Sequence, residues 1–266
     1  MSNRQTLLRL GLALLISTLL LTFVLIKQNE GEKPPACPVA LETVEGASVS
    51  LEEGRGGLRF SCRVPKAELD ALTEPFVIGI LILPTDLLDG ALTVENTAAV
   101  SLCTESPEAQ LIQAEDGFYY FSATLTEMLP RNDTRDFTAV SYIKIGEVYY
   151  YADYSAEKHS RSLWETSAAA FADTAVGYSE EQRVILASYL DRVVVLDASL
   201  NPVNGVAGYT SPYTVSYENG SLVITPKDGT LVEGDISTVM INGAPYTSGW
   251  TISDNCLTAP YALNAD

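Results

Sequence analysis

Histidine occurs once in 266 residues, at His159. A nucleophilic triad needs a base that titrates near neutrality, so any such machinery would rest on this residue alone. It stands between Lys158 and Ser160 in a polar connector ahead of a capped helix, where an exposed side chain is predicted, and no Gly-x-Ser-x-Gly elbow supplies a nucleophile. First-row transition-metal sites draw on several His or Cys ligands and fail by the same count. No Cys-x-x-Cys occurs among the four cysteines, which removes zinc knuckles and thioredoxin-type redox sites. Glycine-rich phosphate loops are missing too, since "GRGGLRF" reads as a hairpin turn with no helix after it. Positive charge is scarce: 16 Lys and Arg stand against 34 Asp and Glu, a net charge of −18. That field disfavours nucleic acid and anionic membrane surfaces as partners and suits solubility outside a cell.

What is present begins with an uncharged apolar run at residues 10–26, with Arg4 and Arg9 before it and Lys27 after it. It reads as a membrane-targeting segment. As a helix its 17 positions would reach about 25 Å, slightly short of a hydrocarbon core of about 30 Å. An uncleaved signal anchor over residues 1–27 is expected, because "TFVLIKQNEGEK" offers no A-x-A cleavage site and "PPAC" before Cys37 lacks the leading aliphatic residue of a lipoprotein site. Secretion after cleavage is the rival reading. Arginines on the short N-terminal side predict that end in the cytoplasm and the bulk outside, a single-pass location at the cell membrane. Without residues 1–27 the chain loses three of its 16 positive charges and none of its 34 negative ones, which leaves −21.

Residues 28–45 are polar and proline-containing and suit a stalk. A β-rich domain is predicted over 46–200. It opens with a hairpin of "ASVSLEE" and "LRFSCRV", in which Leu58, Phe60, Cys62 and Val64 share a face, followed by a short helix after Pro65. "FVIGILIL" (76–83) is a continuous apolar run, the mark of a strand buried on both faces. "AVSLC", "QLIQA", "GFYYFSATLTE", "FTAVSYIKI" and "EVYYYAD" add strands at short spacing, the last two joined by a tight turn at Gly146. The period then becomes helical, with Ser162 and Glu165 opening one helix and Ser179 and Gln182 a second, whose apolar stripe runs from Ile185 to Val193. After "DASLNPVNG", short strands return in a small β module over 205–266, which ends without a clear closing element. The predicted fold class is therefore mainly β (α+β): an antiparallel β-sandwich-like domain followed by two helices, plus the small C-terminal module.

The cysteines Cys37, Cys62, Cys103 and Cys256 can pair in three ways in an exported chain. A Cys62–Cys103 bridge between two predicted strands and a pair of buried thiols stand as equal alternatives. Oxygen-liganded calcium has candidates in "RNDTRD" (131–136) and in the carboxylates around Asp153, but neither matches the Asp-x-Asp-x-Asp-Gly loop. No other cofactor is expected. Paired carboxylates for glycoside hydrolysis are available in an acid-rich chain, and nothing singles out two of them.

Tyrosine is abundant, at 14 residues. Alternation puts Tyr120 with Phe118 opposite Tyr119 with Phe121, and Tyr149 with Tyr151 opposite Tyr150. One face of each strand belongs to the core, and the other could present tyrosines for stacking on sugar rings or docking a protein segment. Cross-strand aromatic pairing under a cover of helices is the structural alternative. Tyr119, Tyr120, Tyr149, Tyr150 and Tyr151 are accordingly the candidate ligand-binding residues.

The stretches "GASVSLEEGRGGLRFSCRV", "GILILPTDLL" and "YIKIGEVYYYADYSAEKHSRS" together resemble a β-rich extracellular module of exported surface proteins from anaerobic Gram-positive bacteria. The likeness covers about residues 46–173 and is carried by Leu58-Arg59-Phe60 and by Tyr151 to Ser155 with Arg161-Ser162. Ser50 stands where that group usually shows Arg. The resemblance implies a cell-surface location and a β-rich fold, and it suggests Arg59 and Asp153 as partners; no catalytic residue carries over. The functional expectation is a non-enzymatic binding or display module at the cell envelope, with a glycan or surface protein as partner and carbohydrate favoured. An extracellular hydrolase using paired carboxylates, or a structural spacer, are the alternatives.

Overall fold

The computed structural model describes residues 36–52, 56–103, 111–203, 205–246 and 249–262. The expected anchor over residues 1–27 lies outside them, and among the described residues no helix is long and apolar enough to cross a membrane. The segment Val39–Asp266 forms one compact unit. It is mainly β with antiparallel sheets, four helices among the described residues and a small C-terminal sheet.

The first part supplies strands β1 (Glu42–Thr43), β2 (Ser48–Ser50), β3 (Gly57–Pro65), β4 (Phe76–Pro84), β5 (Val100–Cys103), β6 (Ile112–Gln113), β7 (Phe118–Thr126), β8 (Phe137–Ile145), β9 (Val148–Tyr151) and β10 (Ser160–Arg161). One sheet runs β1-β3-β7-β6, with β2 also on β3; the other runs β10-β8-β4-β5, with β9 also on β8. Alternation decides which face turns inward. In β3, Leu58, Phe60, Cys62 and Val64 are buried, and the register sets them opposite Leu125, Ala123, Phe121 and Tyr119 of β7. In β4, Ile78, Ile80 and Ile82 share that inner space with Ile143, Ser141 and Ala139 of β8. Burial of such aliphatic and aromatic side chains, at about 1.5–3 kcal/mol each, together outweighs any single polar contact in the sandwich.

The second face of β4 is covered as well, which explains why "FVIGILIL" shows no polar alternation. Leu81 and Leu83 lie there with Val140 and Tyr142, and the segment carrying Leu88, Leu92, Val94 and Ala99 closes over them. Gly79 has a packing reason, since a Cβ there would fall 2.3 Å from Cζ of the Tyr142 ring. Gly146 takes φ +59° at the first central position of the two-residue β8–β9 turn, the conformation that matches the twist of the strands it joins. Between the sheets, the Thr43 hydroxyl donates to Ser141 Oγ at 2.9 Å and accepts from the Ser141 amide at 2.9 Å, with both residues buried.

Four helices follow their caps: α1 (Lys66–Asp70) after Pro65, α2 (Ala156–His159), α3 (Leu163–Ala172) and α4 (Glu180–Leu190). Ser162 accepts from the Glu165 amide at the start of α3, and Ser179 with Gln182 forms a full capping box on α4. Their apolar sides meet through Phe171, Leu186 and Leu190 and press on Val49 in β2 and Leu51 just after it. They therefore close one end of the sandwich and do not roof the tyrosines.

Helix α4 stops at Leu190, short of the stripe predicted to reach Val193. Val193–Leu196 is strand β11, as a run of β-branched residues prefers. It is followed by β12 (Tyr213–Glu218), β13 (Ser221–Pro226), β14 (Thr238–Ile241), β15 (Ala244–Pro245), β16 (Thr251–Ser253) and β17 (Cys256–Pro260). Strand β11 pairs in parallel with β14, while β12, β13, β17 and β16 make an antiparallel sheet. Val194 and Leu196 share one core with Leu222, Ile224, Val239 and Leu257, so the C-terminal layer begins at β11.

Candidate functional site

The five candidate tyrosines do not form one platform. Tyr119 and Tyr120 lie on opposite faces of β7 in the first sheet, and Tyr149 to Tyr151 lie on β9 in the second. Their hydroxyls are mostly engaged within the chain. The Tyr119 hydroxyl accepts from Lys66 Nζ at 2.6 Å and donates to Asp70 at 3.0 Å, and Tyr120 donates to Asp116 at 2.7 Å. Tyr151 accepts from the Val94 amide at 3.2 Å. Tyr149 and Tyr151 do share a face, stacked with centroids 6.4 Å apart and an interplanar angle of 15°, above the buried Tyr142 ring. Tyr150 is half-buried on the opposite face, so Tyr149, at 39 % exposure, is the one open ring of that trio.

His159 is buried, contrary to the exposed connector position predicted for it. The reason is local: Ser155 caps the single turn of α2, and His159 Nδ1 accepts the Ser155 amide at 3.1 Å. Burial pushes its pKa down, partly opposed by Glu45 and by a hydrogen bond to the Thr43 backbone. An imidazole so held is a structural staple.

Cys62 and Cys103 are thiols on different sheets and no bridge joins them. Cys62 is buried, and desolvation pushes its thiol up to about 12; Cys103 is exposed at the end of β5. The suggested Arg59–Asp153 pairing is not made either. Arg59 is held by Ser50 at 2.8 Å, Thr124 at 3.2 Å and Glu52 at 3.0 Å, while Asp153 is exposed. In the predicted calcium segment 131–136, Arg135 forks onto Asp86 at 2.8 and 2.9 Å and Asp133 is buried. Among the described residues no three His, Cys, Asp or Glu gather to hold a metal ion.

A better-formed site lies where the loop between β7 and β8 meets the C-terminal layer. Pro130–Asn132 is a 3-10 turn, held by amide bonds from Asn132 to Leu129 and from Asp133 to Pro130 at 2.8 and 2.9 Å. Facing it is a tight turn in which Asp235 accepts the Val232 amide at 2.8 Å. Between them opens a crevice of about 760 Å³, lined by Leu129, Pro130 and Arg131 on one side and by Glu233, Ser237 and Trp250 among others on the opposite side. Trp250 has its inner edge on the C-terminal core. The side chains of Arg131 and Glu233 are exposed and make no hydrogen bond or ion pair with another described residue. A second pocket of about 380 Å³ shares Pro130 and Gly234 with the first and is lined by Asp191, Arg192, Asp228 and Asp235. Burial raises the pKa of Asp191, opposed by the Tyr209 hydroxyl that donates to it at 2.8 Å.

Behind the Pro130 turn sits Asp133, whose side chain has 0 % exposure and whose two oxygens have no hydrogen-bond donor. Arg192 Nη1 approaches Oδ2 to 3.5 Å. Desolvation pushes the carboxyl up to about 6, against the pull of the Arg192 charge. Sequence reasoning named the segment 131–136 for a cation and missed its part in a crevice. Trp250, one of two tryptophans, was the available signal. No family model matches the chain, and no curated protein matches it either.

Proposed function

We propose that this chain is a non-enzymatic binding module held at the cell envelope by its N-terminal apolar segment, and that it binds a glycan in the crevice at Trp250. The observation that supports this is the company Trp250 keeps. An indole beside two uncommitted charges of opposite sign offers a flat apolar surface for a sugar ring and both a donor and an acceptor for its hydroxyls. Tyr149 adds an exposed ring on a separate face and suits only a weaker contact.

The hydrolase alternative is weaker on chemical grounds. It requires a raised acid and a second carboxylate facing a common cleft; Asp133 is sealed from solvent, and in the pocket that does hold Asp191, Asp228 and Asp235 the raised Asp191 carboxyl is engaged by the Tyr209 hydroxyl at 2.8 Å. A glycan array probed with the full-length chain, followed by titration of the best hit, tests the reading. Replacing Trp250 by Ala is expected to weaken that hit by about tenfold or more. A blank array, or an affinity indifferent to W250A, refutes glycan binding at this crevice.

A further inference from the structure

Three consecutive residues, Trp250, Thr251 and Ile252, line the crevice. Side chains alternate between the two faces of a strand, so neighbours met in a row are met along its edge. Strand β16 is the outermost of its sheet and pairs only with β17 among the described residues. Its register fixes which backbone groups look outward. Asp254 and Asn255, at φ +52° and +62°, make the two-residue turn between Ser253 and Cys256, and such a turn makes its flanking residues a hydrogen-bonded pair. The next pair, Ile252 and Leu257, is therefore of the other kind, with its amide and carbonyl groups turned away from the β16–β17 ladder. Tyr261, of the same parity as Leu257, donates its amide to the Gly220 carbonyl beside β13 at 3.0 Å, as this phase requires. Ile252 thus presents one N–H and one C=O along the free edge where the crevice lies, and no other described group takes them.

We propose that the glycan this crevice takes is an N-acetylated amino sugar, whose acetamido group spans the two walls. A trans amide points its N–H and its C=O in opposite directions. The walls match that polarity: the Ile252 carbonyl is an acceptor on one, and the Arg131 guanidinium is an uncommitted donor on the other. The ligand's amide N–H donates to Ile252, its carbonyl accepts from Arg131, and its methyl group lies on the apolar lining of Leu129 and the buried Ile236. The Ile252 N–H and the Glu233 carboxylate are left for ring hydroxyls, the first needing an acceptor and the second a donor. A plain hydroxyl in place of the acetamide has no apolar part and reaches only one wall. An ammonium has nothing to accept from Arg131 and meets its like charge. A peptide strand is the other ligand that an open edge attracts, but it needs outward groups on alternate residues of a longer strand. Strand β16 has three residues, of which Ile252 alone faces out. This inference rests on the crevice at Trp250 being a glycan site.

The test is a titration of the full-length chain with β-linked trimers of N-acetylglucosamine, glucose and glucosamine, which differ only in the substituent at one ring carbon. At about 0.15 M salt and about pH 6, where the amine is charged, the acetylated trimer is expected to bind about tenfold more tightly than either of the others. The net charge of −18 works the other way, since it draws in the charged trimer, so this order reports the crevice and not the field of the whole chain. Arg131 is exposed and bonded to no other described side chain, so Arg131→Ala leaves the fold intact. That variant should cut the preference over the glucose trimer to about threefold or less, by weakening the acetylated trimer alone. Equal binding of the acetylated and glucose trimers, both lost in W250A, overturns the acetamide assignment and leaves a glycan site standing. An acetyl preference unchanged in R131A overturns it too. No binding by the acetylated trimer overturns it as well, and the wider glycan array then judges the glycan reading separately. Tetra-alanine binding more tightly than any trimer makes the edge a peptide site and overturns both.

Discussion

The inter-sheet contact at Thr43 and Ser141 and the junction at Asp133 both bury polar atoms, but on opposite terms. In the first, one hydroxyl donates and accepts at once, and both partners are buried without an orphaned atom at the contact. In the second, a fully buried carboxylate lacks any donor and faces a guanidinium at 3.5 Å. A satisfied polar pair inside a sheet sandwich fixes register and stays fixed. An unsatisfied one between a loop and a separate layer carries a desolvation cost that raises its pKa and makes its contribution to stability depend on pH. The contrast separates a polar contact whose contribution is constant from one whose contribution varies with pH.

Four measurements sharpen or break that contrast. The largest effect is expected in the scaffold: Phe60→Ala, at a fully buried site between the sheets, should lower the unfolding free energy by about 4 kcal/mol in a urea titration. A loss below about 1 kcal/mol would mean the sandwich core is not what holds the chain. Next, Thr43→Val leaves the buried Ser141 amide without its acceptor and should cost about 2 kcal/mol. The junction should respond with the opposite sign. The folded pKa of Asp133, about 6, lies above its ordinary value of 3.8. The folded state therefore holds the proton more tightly, and its contribution is full below the ordinary value and lost as pH rises through about 6. D133N should thus be more stable than the native chain by about 1–2 kcal/mol at about pH 7.5 and no more stable at about pH 4, read as a difference in thermal melting. If Asp133→Asn destabilises at every pH, as Thr43→Val is expected to do, the two sites are alike and the contrast fails. The smallest effect is a cap: Ser179→Ala should remove about 1 kcal/mol by opening the α4 capping box, equally at both pH values.

Much of the scaffold was legible in the residues themselves. The alternation of Leu58, Phe60, Cys62 and Val64 predicted the inner face of β3, and the unbroken run in β4 predicted burial on both sides. Ser162 and Ser179 predicted the starts of α3 and α4, because a cap hydrogen bond is made within three residues. The end of α4 was less legible. Tyr189, Leu190 and Val193 fit a helical stripe, and only the presence of β14 as a partner turns Val193–Leu196 into a strand. His159 was misplaced for a related reason: its flanks are polar, but the groups that bury it, Thr43 and Ser155, are met only once β1 and α2 are in position.

The candidate site was the least legible part. Tyrosine spacing correctly grouped Tyr149 with Tyr151, yet no pattern along the chain shows that Val94 and Asp70 engage the hydroxyls of Tyr151 and Tyr119. By itself, then, the sequence determined what depends on near neighbours: strand periodicity, caps, turns at glycines and an acid-rich surface, since propensity and alternation act over a few residues. Only the tertiary structure decided what depends on distant ones. It brought Pro130 and Arg131 to Ser237 and Trp250, more than a hundred residues later in the chain, and left a buried carboxylate between two layers with no donor. The physical reason is that such meetings are set by which sheet closes on which, and the free energy deciding that is spread over the whole core.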